Sequence, residues 1–250
     1  MHHTASTRAE REVAHGRKLA QGDPERIWGW GTPAGRLRAR RRAELIAEGA
    51  HLEPRMRALE IGCGTGIFTE MFARTGTSLI AVDISTDLLE QARRRGLSVG
   101  QVQFLERRFE DCEVDGPFDA VIGSSVLHHL DIEAALARIY GLLKPGGVMS
   151  FAEPNMLNPQ IMIQKNVPWI KERLGDSLDE TAFGRWRLRA LLLRTGFVNL
   201  KIVPFDWLHP VTPESWIGLV DAVGRWCERV PIVREFAGSL YIRAYRPLSG

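Results

Sequence analysis

Short apolar runs alternate along the chain with segments that have helical periodicity. The apolar runs are of strand length, and we predict five strands at Met56–Ile61, Ser78–Ile84, Val102–Glu106, Phe118–Ser125 and Val148–Pro154. The segments between them predict helices at Gly66–Thr75, Ser85–Gly96 and Asp131–Leu143. Continuous apolar strands separated by helices are typical of a parallel sheet that is covered on both faces.

The last third of the chain departs from this simple alternation. It predicts a helix at Arg185–Thr195, a sixth strand at Phe197–Phe205 and a final strand at Ser239–Arg246. No helix of ordinary crossover length clearly separates the last two strands, so we expect them to include an antiparallel pair. The predicted fold class is α/β, a doubly wound Rossmann-like sheet of about seven mostly parallel strands with an antiparallel C-terminal edge strand.

The predicted organisation is one sheet domain with added segments. Residues 1–50 precede the first strand and are expected to form an N-terminal helical cap over the ligand edge of the sheet. Residues 51–250 form the main domain, with lid insertions near 155–183 and 207–237.

Composition and charge narrow the class of protein. The 250 residues carry 33 basic and 30 acidic side chains, and a net charge of +3 gives no reason to expect a DNA partner. Three cysteines without CxxC spacing suggest neither a disulfide framework nor a zinc site, and we expect a reducing cytoplasm. We find no signal peptide and no spanning segment.

The stretch "ALEIGCGTGIFTEMFA" places three glycines between the first strand and the first helix of the sheet domain. Gly62, Gly64 and Gly66 fall where an open parallel sheet binds its ligand, and glycine lets the backbone approach that ligand closely. A dinucleotide fingerprint would require glycine at Ile67. The spacing G-x-G-x-G after Glu60 therefore argues against a pyrophosphate.

Asp83 ends the second predicted strand at the same edge of the sheet. A carboxylate there can accept hydrogen bonds from both hydroxyls of a ribose. Together with the glycine spacing, this predicts an adenosine-containing ligand that has something other than phosphate beside the glycines.

Four ordered motifs, "LEIGCGTG", "AVDIS", "FDAVIGSSVLHHL" and "LLKPGGVMSFAEP", resemble the class I S-adenosylmethionine-dependent methyltransferases. The resemblance implies S-adenosylmethionine as the cofactor and a small-molecule methyl acceptor. It assigns the methionine part of the cofactor to the backbone from Gly62 through Cys63 and Gly64 to Gly66, with Glu60 supporting this loop. It further implies that Asp83 binds the ribose, that Ile84 lies against the adenine and that the Ser124 carbonyl accepts from the methionine ammonium.

One part of the family pattern is missing. These enzymes often have an Asp followed by a small residue after the third strand, whereas this chain has Arg108 and Phe109 near that place. Arg108 cannot accept a hydrogen bond from the adenine amino group. Either Glu110 or Asp111 takes over, or backbone and packing at Phe109 hold the adenine; simple solvation of both acids is an equal alternative.

The sequence offers two groups of candidate catalytic side chains. His128 and His129 follow the fourth strand, and a histidine suits proton removal near neutral pH, with His128 slightly favoured. An equal alternative for either histidine is a structural role in which the ring bonds backbone groups at the junction of strand and helix. Glu153 ends the fifth strand and is a candidate to bind or activate the acceptor. Asn155 is a candidate substrate ligand, although the turn-forming residues around it favour a turn.

Aromatic segments outside the sheet are the candidates for choosing the acceptor. Trp28 and Trp30 flank a glycine and are predicted to contact the substrate, although core packing is the commoner role for such residues. An apolar stripe from Trp216 to Trp226 is usually core, but exposed beside "RLRARRR" it would suit an apolar or lipid acceptor at a membrane surface. Methylation at O, N or C, and the oligomeric state, are left open. The alternatives to a small-molecule methyltransferase are an RNA methyltransferase and a non-catalytic S-adenosylmethionine-binding module.

Overall fold

The fold is described by a computed structural model, in which residues 8–167 and 183–248 are described. Part of the predicted lid insertion near 155–183, namely 168–182, lies outside the described residues. Seven strands form a single sheet in the order β3-β2-β1-β4-β5-β7-β6. They are β1 Arg57–Ile61, β2 Ser78–Asp83, β3 Val102–Glu106, β4 Phe118–Ser124, β5 Leu143–Pro154, β6 Val198–Phe205 and β7 Ser239–Tyr245.

The predicted α/β fold class is confirmed, with one antiparallel strand near the C-terminus. β1 to β5 pair in parallel, while β7 is antiparallel to both of its neighbours, β5 and β6. β7 is thus inserted between β5 and β6, which leaves β6 as the outermost strand. The antiparallel pair expected from the sequence lies at this edge of the sheet.

Nine α-helices accompany the sheet in the described part of the chain. They are α1 Arg8–Ala20, α2 Pro24–Ile27, α3 Pro33–Gly49, α4 Ile67–Ala73, α5 Thr86–Arg93, α6 Ile132–Leu142, α7 Pro159–Asn166, α8 Arg185–Thr195 and α9 Ile217–Cys227. Side-chain caps fix several helix starts: Ser85 accepts from the Leu88 amide and Asp131 from the Glu133 and Ala134 amides.

The two faces of the sheet carry separate apolar clusters because successive strand residues point to opposite sides. In β4, Val121 packs into the cluster that includes α6 and α8, whereas Ala120 and Ile122 pack into the cluster that includes α3 and α4. Helix α3 therefore shares a core with the sheet, and it brings the N-terminal segment to the edge where the parallel strands end.

No helix among residues 8–167 and 183–248 is both long and apolar enough to cross a lipid bilayer. Cys63 and Cys112 are buried free thiols, and Cys227 is a partly buried one.

Close packing at Gly35 fixes the turn that carries Trp28 and Trp30 against α3. Gly35 lies in the first turn of α3, where an added methyl group would overlap the Gly29 carbonyl oxygen. This contact determines how closely the turn carrying Trp28 and Trp30 approaches α3.

We expect Gly35→Ala to lower the free energy of unfolding by about 1–3 kcal/mol, because the methyl group would overlap backbone that must move. Gly141→Ala in α6 is the matched control, since a methyl group there meets nothing within 4 Å. This control should gain about 0.5–1 kcal/mol through the better helix propensity of alanine. Chemical denaturation measures both, and a stable Gly35→Ala variant would contradict the packing described.

Candidate active site

A cavity of about 370 Å³ opens at the carboxyl ends of the parallel strands. Its floor comprises residues that follow the strands β1, β2 and β4, and its roof comprises the N-terminal helices and α7. The floor residues predicted from the sequence that line it are Gly62, Cys63, Gly64, Asp83, Ile84, Phe109, Glu110, Ser124, His128 and His129. The volume falls within the usual range for small-molecule sites.

The glycine loop has the backbone that only glycine adopts readily. Gly62 and Gly64 have φ values of 66° and 52°. A side chain at Gly62 would overlap Val126, and one at Gly64 would meet the Trp28 ring at 3.2 Å. The loop thus presents bare backbone to the cavity, as expected for a ligand that lies directly on it.

Asp83 joins this loop to the end of β2. Its Oδ2 accepts from the Gly64 amide at 2.7 Å, and its Oδ1 accepts from the Ser85 amide at 2.9 Å. Burial raises the pKa of Asp83, while these backbone hydrogen bonds act to lower it. Each carboxylate oxygen has a second lone pair, so the group can also accept from ligand hydroxyls in the cavity.

Glu60 lies beneath the glycine loop and does not line the cavity. Its side chain is buried, and burial raises the pKa of Glu60 to about 8, with the nearby Asp83 charge adding to the effect. A protonated Glu60 is therefore the stable form in the protein alone near neutral pH. A cation placed next to this loop would favour its ionisation.

The two acids that follow β3 are placed differently relative to the cavity. Arg108 lies 3.3 Å from Glu110 and 3.1 Å from Asp111, so it forms ion pairs with both acids. Glu110 lines the cavity together with Phe109, whereas the Asp111 side chain is 71% exposed and lies outside the lining. Of the two acids left open by the sequence, the structure brings only Glu110 to the cavity.

Arg42 of α3 is buried directly behind the end of β4. Its guanidinium donates to the Ser125 hydroxyl at 2.9 Å and to the Ala152 carbonyl at 3.0 Å. It also reaches the Ser124 and Ser239 hydroxyls. Burial lowers the pKa of Arg42 to about 10, so the side chain remains charged at neutral pH. This cation fixes the strand ends that face the cavity.

His128 and Glu153 form a buried pair. His128 Nδ1 lies 2.7 Å from Glu153 Oε2, while Glu153 Oε1 accepts from the Val126 and Leu127 amides at 3.0 and 2.9 Å. The hydrogen bond from His128 and these amides lower the pKa of Glu153 against the opposing effect of burial. Because an ionised carboxylate only accepts, Nδ1 carries the proton, and any proton that His128 takes up goes to Nε2.

Glu153 is therefore placed differently from the expectation that it would itself contact the acceptor. It lies behind His128 and outside the cavity lining, with no exposed surface. Two backbone amides and the histidine surround the carboxylate. Its position suits orientation of His128.

His129 faces the cavity from the same turn. Its Nδ1 lies 3.1 Å from Glu12 of α1, and its ring centroid is 4.2 Å from that of His128. Its charge when protonated acts to lower the pKa of Asp83. The structure thus brings both histidines into one site but gives them different carboxylate neighbours.

The N-terminal turn supplies the aromatic wall of the cavity. Trp28 and Trp30 both line it, and Trp30 packs edge-on against Phe68 with centroids 5.5 Å apart. Glu25 of α2 accepts from the Thr65 hydroxyl at 2.9 Å and forms an ion pair with Arg95. These contacts fasten the aromatic wall to the glycine loop.

Asn155 is buried away from the cavity, which corrects the expectation that it binds substrate. Its side-chain amide donates to the Glu235 and Ala237 carbonyls at 2.9 and 2.7 Å. Its own oxygen accepts from the Leu157 amide, as in an Asx turn. The turn alternative weighed from the sequence describes this residue.

Sequence reasoning missed the polar residues that the N-terminal helices bring to the site, above all Arg42, Glu12 and Glu25. Within the run "RLRARRR", Arg38 pairs with Asp206 and Arg41 with Glu228, whereas Arg42 is buried behind β4. Nothing in such a run marks which arginine is buried, because burial depends on the partners that the fold brings from distant segments.

Comparison with known proteins finds methyltransferases that resemble this chain in sequence. Residues 58–147 match a family model described as a methyltransferase domain. A ubiquinone biosynthesis O-methyltransferase from Xanthomonas axonopodis is 36% identical over 135 residues, which is 52% of this chain and 56% of that protein. The chain thus spans little more than half the length of this curated relative.

Solved structures share the fold at low sequence identity. A phosphoethanolamine N-methyltransferase 2 of Haemonchus contortus, in complex with S-adenosylhomocysteine, has a TM-score of 0.69 at 15% identity and covers 97% of this chain and 61% of its own. The N-methyltransferase NodS of Bradyrhizobium japonicum, also bound to S-adenosylhomocysteine, has a TM-score of 0.63 at 16% identity. The match covers 95% of this chain and 99% of the NodS chain.

Residues 58–147 therefore match a methyltransferase domain, and the chain shares its fold with methyltransferases whose structures hold S-adenosylhomocysteine, which supports the resemblance identified from its motifs.

The buried Glu60 generates a prediction about stability and pH in the absence of ligand. The folded protein keeps the proton up to a pKa of about 8, whereas the unfolded chain releases it near 4.5. The unfolded state thus binds fewer protons between about pH 5 and 8, and the free energy of unfolding falls as pH rises through that window. The slope for one proton is about 1.4 kcal/mol per pH unit.

Glu60→Gln has no proton to release at this position, so its free energy of unfolding should not show this fall with pH. From pH 5 to 8, the variant should therefore become increasingly more stable relative to the wild type. Urea denaturation at several pH values measures it, with the exposed Glu90→Gln as a control that should run parallel to the wild type. Parallel curves for Glu60→Gln would show that Glu60 is ionised in the folded protein.

Proposed function

We propose that this protein is an S-adenosylmethionine-dependent methyltransferase that transfers a methyl group to a hydroxyl oxygen of a small, partly apolar molecule. The observation that carries the proposal is that His128, backed by the buried Glu153, lines the same cavity as the glycine loop and Asp83. In this proposal, the cofactor site and the proton acceptor share one cavity.

The residues present fit the proposed cofactor. The bare backbone of Gly62 and Gly64 would hold its methionine part, Asp83 its ribose, and Ile84, Phe109 and Glu110 its adenine. The Ser124 carbonyl, with Ser124 held by Arg42, would accept from the methionine ammonium. The bound cofactor supplies a methyl group already activated by its sulfonium.

An oxygen acceptor follows from the arrangement around His128. A neutral amine attacks with its lone pair and loses its proton afterwards, whereas a phenolic hydroxyl becomes a strong nucleophile only as its proton leaves. A histidine whose Nδ1 is held by Glu153 takes that proton on Nε2. The name of the relative that is 36% identical, an O-methyltransferase, supports the same choice.

The aromatic wall beside the glycine loop favours an apolar acceptor body. Ile27, Trp28, Trp30 and Phe68 line it, and such surfaces bind flat or greasy molecules by burial of apolar area. Lipid-like phenols fit this description. The free thiols fit a reducing cytoplasm as the place of reaction.

Asp83→Ala should weaken binding of S-adenosylhomocysteine at least tenfold, because a charged hydrogen bond to ribose is worth about 1.5–3 kcal/mol. Calorimetric titration measures the affinity. Asp83→Asn keeps one acceptor oxygen, so its affinity should lie between those of the wild type and Asp83→Ala. Glu90→Ala, on the exposed side of α5, should bind like the wild type. An Asp83→Ala variant that folds and binds normally would remove the ribose assignment.

His128→Gln should slow methylation of a catechol or other phenol about 10²- to 10⁴-fold at neutral pH, the usual range for general-base catalysis. Binding of S-adenosylhomocysteine should stay unchanged, and Glu153→Gln should lower the rate through misplacement of the imidazole. The matched readout is the pH profile of initial rates.

The defect of His128→Gln should shrink as pH approaches about 10, the pKa of a phenol, because the acceptor then ionises without help. A defect of equal size at every pH would mean that His128 acts only in packing, and an unchanged rate at neutral pH would exclude it as the base.

A further inference from the structure

The apolar stripe on α9 is exposed. Trp216, Leu219, Val223 and Trp226 recur at helical spacing and are 57%, 57%, 52% and 61% exposed. We call these four residues the α9 face. The sequence left open whether this stripe is buried in the core or exposed, and in the structure it is exposed.

α9 is attached to the domain along its opposite side. Gly224 packs so closely on Trp207 that an added methyl group would lie 2.8 Å from the Trp207 Cβ. Beyond the C-terminus of the helix, Glu228 accepts from Arg41 at 2.8 Å and from the Asp206 amide at 2.9 Å. These contacts fix the helix and direct the α9 face outward.

Further exposed apolar side chains extend the surface beyond α9. Ile232 and Phe236, which follow the helix, are 77% and 43% exposed. The Phe236 carbonyl accepts from Asn158 at 2.8 Å, and this contact brings α7 alongside with Met162 and Ile163 about half exposed. Single exposed apolar residues are common, but a run across three neighbouring segments indicates an interaction surface.

The charges around this surface are mainly positive. A groove of about 260 Å³ beside the segment that carries Phe236 is lined by Arg185, Arg189, Lys201 and Arg234, next to the exposed Trp186. The neighbouring acids Asp221, Glu228 and Glu235 each pair with an arginine, whereas the exposed Glu214 forms no ion pair with another described residue. Among the described residues, Arg189 and Arg229 have no acidic partner within ion-pair distance. An anionic partner is complementary to this pattern.

From these observations we infer that the α9 face and the adjoining cationic groove dock the protein on an anionic phospholipid surface. Tryptophans with aliphatic residues on one helix side and arginines at its margin are typical of helices that lie in the plane of a membrane interface. Anionic headgroups add about 1 kcal/mol of attraction per basic residue near the surface. A protein partner would match the apolar face but would not require the unpaired arginines.

The docking surface adjoins the cavity. The segment leading into α9 contacts the aromatic turn, since the Thr32 hydroxyl donates to the Pro210 carbonyl at 2.7 Å. It also contacts α7, because Gln160 lies 2.8 Å from His209. Both contacted segments contribute to the cavity wall, through Trp28 and Gln164. A docked bilayer could therefore deliver a lipid-like acceptor to the cavity. This delivery rests on the proposed function, whereas the docking itself does not.

The test is co-sedimentation of the full chain with vesicles of phosphatidylcholine alone and of phosphatidylcholine with phosphatidylglycerol. We expect at least tenfold stronger binding to the anionic vesicles, weakened by salt. Leu219→Ser/Val223→Ser should lower this binding at least tenfold through lost apolar burial. Arg189→Glu/Lys201→Glu should abolish the preference for phosphatidylglycerol. Val99→Ser, which changes an exposed residue in the connection before β3, is the matched control.

Calorimetric titration with S-adenosylhomocysteine checks that the variants keep the cofactor site. If the proposed function is wrong, the protein will not bind S-adenosylhomocysteine, and this result is independent of vesicle binding. Vesicle binding by Leu219→Ser/Val223→Ser equal to that of Val99→Ser would overturn the inference. The inference would also be overturned if the wild-type protein did not bind vesicles but formed a dimer, and the double variant were monomeric. A second copy of the chain would then cover the α9 face.

Discussion

The buried carboxylate of Glu153 is the constraint on which the site depends. With no exposed surface, it must be surrounded by donors, and it takes them all from the connection between β4 and α6: two backbone amides and the His128 ring. One side chain at the end of β5 thereby fixes the backbone after β4. Val126, held in this way, packs against Gly62 and limits the shape of the glycine loop as well.

A second buried charge ties the N-terminal segment to the same edge. Arg42 sits among the ends of β4, β5 and β7, where hydroxyl and carbonyl oxygens accept its hydrogen bonds. Its Nε has no hydrogen-bond partner among the described residues. Glu25 and Arg95 add a further link from α2 to the glycine loop. The aromatic wall is therefore held by polar contacts to the loop it faces, and the two halves of the cavity are positioned together.

The sheet and the side of the cavity formed by the glycine loop and Asp83 could be predicted from the sequence, and the opposite side could not. Strand length, apolar runs and the turn residues are local properties, so β1 to β5, the glycine loop and Asp83 were found where they were expected. The roles of Glu153 and Asn155 depend on what surrounds them, and a lone carboxylate or amide at a strand end does not reveal its donors. The stripe on α9 shows the same limit: helical spacing identifies an apolar face but not whether the fold covers it.

The His128–Glu153 pair is tested most directly by the protonation state of the His128 ring. Nitrogen NMR of the ¹⁵N-histidine protein with S-adenosylhomocysteine distinguishes the two ring nitrogens, and a His128→Gln sample assigns the signal among the seven histidines. We predict that neutral His128 carries its proton on Nδ1, bonded to an ionised Glu153, and that Nε2 gains a proton only as pH falls. A neutral ring with the proton on Nε2 would contradict the account, because His128 could not then accept a proton from the acceptor hydroxyl at that nitrogen.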